Sequence, residues 1–427
     1  MTAWLNRVRN LAMPAPQPFQ SGPAQHSLPL DGVRGIAVLL VLMYDCLKLD
    51  NDGTPLTFAV RKLASCGWLG VDLFFVLSGF LITGILLETK GKVGYWKSFF
   101  IRRSVRIFPL YYFSLLSVFV LIPLVLASQG AWSDESPMAA VAKDQVWYWF
   151  YLPNWLFAVR QSWPHERVLN HFWSLAVEEQ FYLVWPIIVA ALSRKNLVRL
   201  CVSLAVVALG LRFALLLGGS APVASYVMTV TRMDSLCVGA IVAVMLRNPV
   251  WYNRMASFLP VGFVTLGVVA LGIDAVWPLM LTESFGAYSI GHTLFAVMFA
   301  CLIGSAATLP ASHPASRGLA LYPLRVLGKY SYAMYVFHRF AYAIVSEFTT
   351  ASSPEFSHGW ALFGLTLVVT LVMAKLSWLL LEQHFLALKR YAPRPDDVVD
   401  EVSVQLPLSV EEMLPPESDR AVLLKVL

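Results

Sequence analysis

Apolar residues in this chain do not alternate with polar ones; they come in long runs of about 20, the length that crosses a bilayer as an α-helix. Ten spans are predicted, at 30–50, 67–88, 107–127, 173–193, 197–217, 227–246, 257–273, 287–309, 330–349 and 359–383. The polar stretches between them carry a second pattern. Arg7 and Arg9 precede the first run; Lys90, Lys92, Lys97, Arg102, Arg103 and Arg106 follow the second; Arg194, Lys195 and Arg199 follow the fourth. Arg247 and Arg254 follow the sixth, Arg317, Arg325 and Lys329 the eighth, and Lys389, Arg390 and Arg394 the tenth. Basic residues favour cytoplasmic loops, and all of these stretches share one side if both termini are cytoplasmic. The expectation is an all-α polytopic membrane protein, with about ten transmembrane helices around a polar cavity.

One region departs from the pattern. Residues 128–172 hold VWYWFYLPNWLFAV, too short and too rich in Trp and Tyr for a comfortable span. Counting it as one would invert every later loop, so an interfacial or re-entrant segment on the outer side is predicted. The membrane domain then runs over 28–390. Before it, 1–27 is Pro-rich and polar, without the apolar core of a cleavable signal peptide. After it, 391–427 is Pro-rich and acidic, read as a flexible cytoplasmic tail.

Composition agrees. Hydrophobic residues make up 58% and charged residues 14% of the chain, and the mean hydropathy is +0.64; a soluble domain needs far more charge to cover its surface. The net charge of +6 lies in short loops, where membrane orientation accounts for it, so no nucleic-acid partner is expected. Five cysteines show no metal-binding spacing, and no metal site is expected. Cys46 and Cys66 flank one short loop, and their pairing stays open.

Charges inside the spans point to chemistry. Arg34 and Asp45 are 11 positions apart in the first span, which puts them near one face of a helix and about 16 Å apart along it. Each costs roughly 2.5–3.5 kcal/mol to insert, so a cavity, a counter-charge or a substrate must face them. Sorted by depth, Asp45, Asp72, Glu178, Glu179, Arg232 and Asp234 fall toward the outside; Arg34, Arg102, Arg103 and Arg106 fall toward the cytoplasm. These groups are expected around one cavity, anionic outside and cationic inside. The arginines suit phosphates, which guanidinium groups grip in bidentate fashion, or plain anchoring to anionic lipid. Ser174 and Glu178 share a helix face, with Glu179 rotated about 100° away. Asp72, Gly79 and Thr83 share another, and Asp72 is a candidate partner for Arg34 or Arg232. Ser331, Tyr335, His338 and Tyr342 form a polar stripe in the ninth span. In the tenth, Lys375 and Glu382 are expected to pair.

With these residues in view, the chain resembles the acyltransferase 3 family of integral-membrane O-acyltransferases. The resemblance runs from about Leu30 to Glu382 and rests on LDGVRGIAVLLVL, GWLGVDLFFVLSGFLI, RRSVRIFPLYY, FWSLAVEEQFYLVWP, RMDSLCVGA and LGKYSYAMYVFH, in the family's order. It implies a bacterial cytoplasmic-membrane enzyme with no resident cofactor. The donor is cytoplasmic acyl-CoA, and the acceptor is a hydroxyl, usually on a sugar, at the outer face. The family's first-span motif, an Arg and a His with ten residues between them, corresponds to Arg34 and position 45, where this chain has Asp45.

That departure leaves three readings open. Asp45 acts as the base; or His338, His171, Glu178 or Glu179 has taken over; or the chain binds acyl-CoA or glycan without turnover. The donor residues are then Arg34, Arg102, Arg103 and Arg106, and Asp72, Ser174, Tyr335, Arg232 and Asp234 line the acceptor cavity. Direct transfer is expected rather than an acyl-enzyme, because no Ser or Cys stands beside an evident base. No inverted repeat or broken helix suggests a transporter. The oligomeric state is left open.

Overall fold

In hydrocarbon no water satisfies backbone N–H and C=O groups, so long apolar runs close their hydrogen bonds internally as helices. The computed structural model describes residues 27–50, 52–130, 133, 135, 137–164, 167–281, 284–352 and 359–393. Every regular element among them is helical. In chain order these are α1 (Leu28–Cys46), α2 (Pro55–Ser65), α3 (Leu69–Thr89), α4 (Tyr95–Ser128), α5 (Pro137–Lys143), α6 (Gln145–Trp149), α7 (Pro153–Arg160) and α8 (Phe172–Ala191). They continue as α9 (Arg194–Leu217), α10 (Pro222–Val227), α11 (Thr229–Leu246), α12 (Pro249–Asp274), α13 (Ala287–Thr308), α14 (Pro314–Leu319), α15 (Tyr322–Ser352) and α16 (Gly359–Tyr391). Starts follow capping chemistry: Ser193 accepts from the Asn196 N–H at α9, and Asn248 accepts from the Val250 N–H beside Pro249 at α12.

Eight helices (α3, α4, α8, α9, α11, α12, α13 and α16) are long and apolar enough to cross a bilayer. They overlap eight of the ten expected spans. The remaining two fall in α1 and α15, which are 19 and 31 residues long. α1 exceeds the composition limit through Asp31, Arg34 and Asp45, and α15 has tyrosines, His338 and Arg339 through its middle. The expected terminal segments lie almost wholly outside the described residues.

Those two helices meet each other backbone to backbone. A methyl on Gly328 of α15 would fall 1.9 Å from the Asp31 carbonyl oxygen, and one on Gly35 of α1 would fall 2.1 Å from that of Leu324. α3 and α11 approach as closely, Gly79 against Leu236 and Gly239 against Val76, the small-residue contact that packs helices in lipid. At the periphery, α12 presents Phe258, Val261, Val264 and Val268 outward, a stripe suited to hydrocarbon. This is a multi-pass membrane protein.

The described residues of 128–172 fold as short helices held to the bundle. Tyr111 donates to the Tyr148 carbonyl at 2.7 Å, and Gln180 donates to the Tyr151 carbonyl at 2.8 Å. All five cysteines are free thiols, so Cys46 and Cys66 do not pair. Nor do Lys375 and Glu382: a widened turn over Trp378–Glu382 shifts the register, and Glu382 accepts from Ser377 at 2.9 Å instead.

Candidate active site

α1 carries Arg34 near one end and Asp45 at the other, and each side chain lines a different cavity. The Arg34 cavity, about 190 Å³, is walled by α1, α3, α4, α8 and α15 and holds Arg34, Arg103, Arg106, Glu178 and Glu179. Arg34 is tethered to Asp31 at 2.8 Å. The Arg103 guanidinium lies 4.1 Å from the centre of the Tyr182 ring, a cation–π contact. Glu178 accepts from Ser78 at 2.8 Å and from Tyr182 at 3.0 Å, so one carboxylate is already engaged. Glu179 reaches the same cavity despite its rotation on α8, because the opening spans that angle. Arg102 does not line it; its Nε donates to Ser98 at 3.1 Å.

The Asp45 cavity is larger, about 490 Å³, and is framed by the ends of α1, α3, α8 and α15 with the segment around Trp163. Asp45 is not a free base. His338 Nε2 faces its Oδ2 at 2.8 Å, and Arg339 donates to its Oδ1 at 2.5 Å. His338 Nδ1 stands 2.6 Å from the Tyr335 carbonyl. A carbonyl only accepts, so Nδ1 carries a proton, and both ring nitrogens of His338 face acceptors. One further proton must sit between Nε2 and Asp45, and neither group is left open to receive one.

His171 is placed differently. Its Nε2 lies 3.1 Å from the Val336 carbonyl and therefore donates. Nδ1 is buried with no hydrogen-bond partner, which leaves a neutral imidazole with an unused lone pair. The residue lines the Asp45 cavity, and its ring centre is 4.7 Å from that of His338. Among the cavity's imidazole and carboxylate groups, His171 is the one equipped to take a proton.

A thin wall separates the cavities. Tyr335 and Val71 line both. The Tyr335 hydroxyl is 2.5 Å from Ser174 Oγ and donates to the His171 carbonyl at 3.2 Å. The polar stripe of α15 thus runs through the molecule: Ser331 in the Arg34 cavity, Tyr335 in the wall, Tyr342 in the Asp45 cavity.

Three expected cavity residues are elsewhere. Asp72, Arg232 and Asp234 line neither cavity, because their charges are consumed in a sealed network joining α3, α9, α11 and α13. Asp72 binds Arg232, Ser235 and His292, the last at 3.1 Å; Asp234 binds Arg212 at 2.8 Å and Thr293 at 2.6 Å. Arg212 and His292 are isolated ionisable side chains in the apolar parts of their helices, and only their counter-charges could have singled them out. Ser78, Tyr182 and Arg339 were also missed; Arg339 directly follows His338, in the stripe already marked.

The acyltransferase family model described as "Acyltransferase domain" matches residues 29–378. The chain belongs to the acyltransferase 3 family. Among family members, it is 29% identical over 369 residues to the peptidoglycan O-acetyltransferase OatA of Listeria monocytogenes, covering 83% of this chain and 54% of the relative. It is 30% identical over 368 residues to a putative peptidoglycan O-acetyltransferase, YrhL, of Bacillus subtilis, with the same shares. A putative O-acetyltransferase of Staphylococcus aureus is 27% identical over 377 residues, 83% of this chain and 56% of that one. The chain therefore spans about half the length of these acyltransferases. No solved structure matches it.

Proposed function

We propose that this acyltransferase moves an acyl group, acetyl in the first instance, from an acyl-CoA thioester in the Arg34 cavity to a carbohydrate hydroxyl in the Asp45 cavity. A cell-wall glycan is the acceptor class that the relatives' names suggest. The observation that carries the reading is the pair of cavities, one lined by three arginines together with Glu178 and Glu179 and one holding an unpartnered imidazole nitrogen, meeting at Tyr335. Arg34, Arg103 and Arg106 suit the phosphates of the donor. In this reading the Arg34 cavity faces the cytoplasm and the Asp45 cavity the outside of a bacterial cytoplasmic membrane.

His171 Nδ1 takes the acceptor's proton as its oxygen attacks the thioester carbonyl; the C–S bond breaks, and the proton ends on the departing sulfur. The Tyr335–Ser174 contact parts to let the carbonyl reach the acceptor, and these two hydroxyls are the donors placed to stabilise its oxyanion. Glu178 keeps a positioning role through Ser78 and Tyr182. Asp45 holds His338 and Arg339 rather than acting as base.

The test is incubation of purified protein with labelled acetyl-CoA and candidate glycans. Label on the glycan with release of free CoA supports the reading. A second reading draws on the Asp45–Arg339 pair: with the family's histidine absent, the chain binds both ligands without turnover. An inert chain that becomes active as Asp45→His would establish that one and overturn ours.

A further inference from the structure

The Asp45 cavity is built for a particular kind of sugar. One wall is aromatic, centred on Tyr226, with the rings of Trp163, Trp173 and Tyr288 at 6.0, 4.7 and 5.3 Å. Lining residues also leave three buried polar atoms unpartnered: Asn170 Oδ1, His171 Nδ1 and Arg339 Nε. The sealed cluster also leaves Arg232 Nε and Nη1 and His292 Nε2 unmet, but of these residues only Asn170, His171 and Arg339 line an open cavity, and two acceptors with one donor suit a ligand rich in hydroxyls.

Charge adds a further requirement. Among the described lining residues Asp45 is the only carboxylate, and Arg339 already answers it. Lys48 and Arg167 remain. Among the described residues Lys48 Nζ donates to the Tyr44 carbonyl at 3.1 Å and its charge also acts on Asp45, whereas Arg167 contributes its backbone carbonyl to Arg339 at 3.2 Å and its guanidinium pairs with no carboxylate.

We propose that the ligand of the Asp45 cavity is a sugar unit bearing a carboxylate. The carboxylate lies between Arg167 and Lys48, the ring packs against the aromatic wall, and a hydroxyl is presented to His171 Nδ1. The inference rests on the reading that this cavity receives the acceptor.

A matched pair of oligosaccharides decides it, one with a uronic acid unit and one with that carboxylate methyl-esterified, measured on the full chain in nanodiscs. Calorimetry is expected to show the acid binding roughly tenfold more tightly, and transfer from labelled acetyl-CoA to show the same factor in KM. Arg167→Gln should bring the ratio close to one, and Arg167→Lys should restore part of it. Equal affinity for acid and ester, or a preference untouched by Arg167→Gln, would overturn the proposal. Absent transfer with the binding preference intact would sink the catalytic reading and leave the site standing.

Discussion

Two aspartates in this protein are held by the same kinds of partner and have different fates. Asp72 is bound by Arg232 and His292, and Asp45 by Arg339 and His338. In the first cluster all three side chains are fully enclosed, at 0% exposure. Trp68 and Tyr226, which line the Asp45 cavity, stand over it: the His292 ring is 5.0 Å from Trp68, and the Arg232 guanidinium is 5.4 Å from Tyr226. In the second, Asp45 is 10% and Arg339 21% exposed, and both border open space. Residue type does not separate scaffold from site here; access does. A layer of aromatic rings makes the difference.

The comparison breaks first if histidines on the two sides behave alike. His171→Gln is expected to lower kcat by roughly 10²–10⁴-fold, the usual weight of a positioned general base, with little change in melting temperature. His292→Gln should do the reverse, melting earlier in micelles while the folded fraction turns over normally. Turnover with labelled acetyl-CoA and a thermal melt on the same preparations separate the two. Equal kcat losses would erase the distinction.

Removing one member of a sealed pair is costly because the other charge stays buried without water. Arg232→Met is expected to destabilise by about 3–5 kcal/mol, seen in the melting curve or as a loss of folded protein. The double change with Asp72→Asn should recover much of this, since it removes the stranded charge as well. Arg339→Met should cost less, because solvent reaches Asp45. An equal loss at both sites would mean that the cavity is drier than its open lining implies.

Much of this was legible in the chain, and the limit has a physical form. Apolar runs located the helices, because a bilayer imposes length and composition on each one separately. The stripe Ser331, Tyr335, His338 and Tyr342 was readable for the same reason: spacing within one helix fixes a common face. Pairing between helices was readable only in part: Arg232 was one of two partners expected for Asp72, and the two do meet. His338 finds Asp45 across 293 positions and His292 finds Asp72 across 220, and nothing local says which charged residue meets which. Asp72 and Asp45 lie at similar depth in neighbouring spans, and although Asp45 stood out by its spacing from Arg34, nothing in the sequence says which of the two borders open space. Only packing shows that one is sealed behind Trp68 and Tyr226. Whether a histidine nitrogen is free or engaged depends likewise on a carbonyl from another helix, Val336 for His171.

At the proposed donor end, the same criterion of access divides three neighbouring arginines. Arg103 and Arg106 line the Arg34 cavity and Arg102 does not. Arg103→Gln and Arg106→Gln are each expected to raise KM for acetyl-CoA by roughly tenfold, the weight of a hydrogen bond to a charged group. Arg102→Gln should change it by less than about twofold, since its contact is with Ser98. Initial rates across a range of acetyl-CoA concentrations provide the check. Three equal shifts would point to general attraction by a basic face instead of a shaped site.

A third aspartate–arginine pair lies nearer the surface, with Asp144 15% exposed. Asp144 takes a two-pronged contact from Arg160 between α5 and α7, and the Arg160 side chain is 50% exposed. Water screens this pair and salt screens it further, so Asp144→Asn should cost no more than about 1 kcal/mol. That small loss should shrink as ionic strength rises, whereas the loss from Arg232→Met should hardly respond, because no ion enters the sealed cluster. Melting curves at low and high salt for both variants test the ordering directly. If the Arg232→Met loss shrank with salt as the Asp144→Asn loss does, the Asp72 cluster would be in contact with solvent, and the contrast with Asp45 would lose its physical basis.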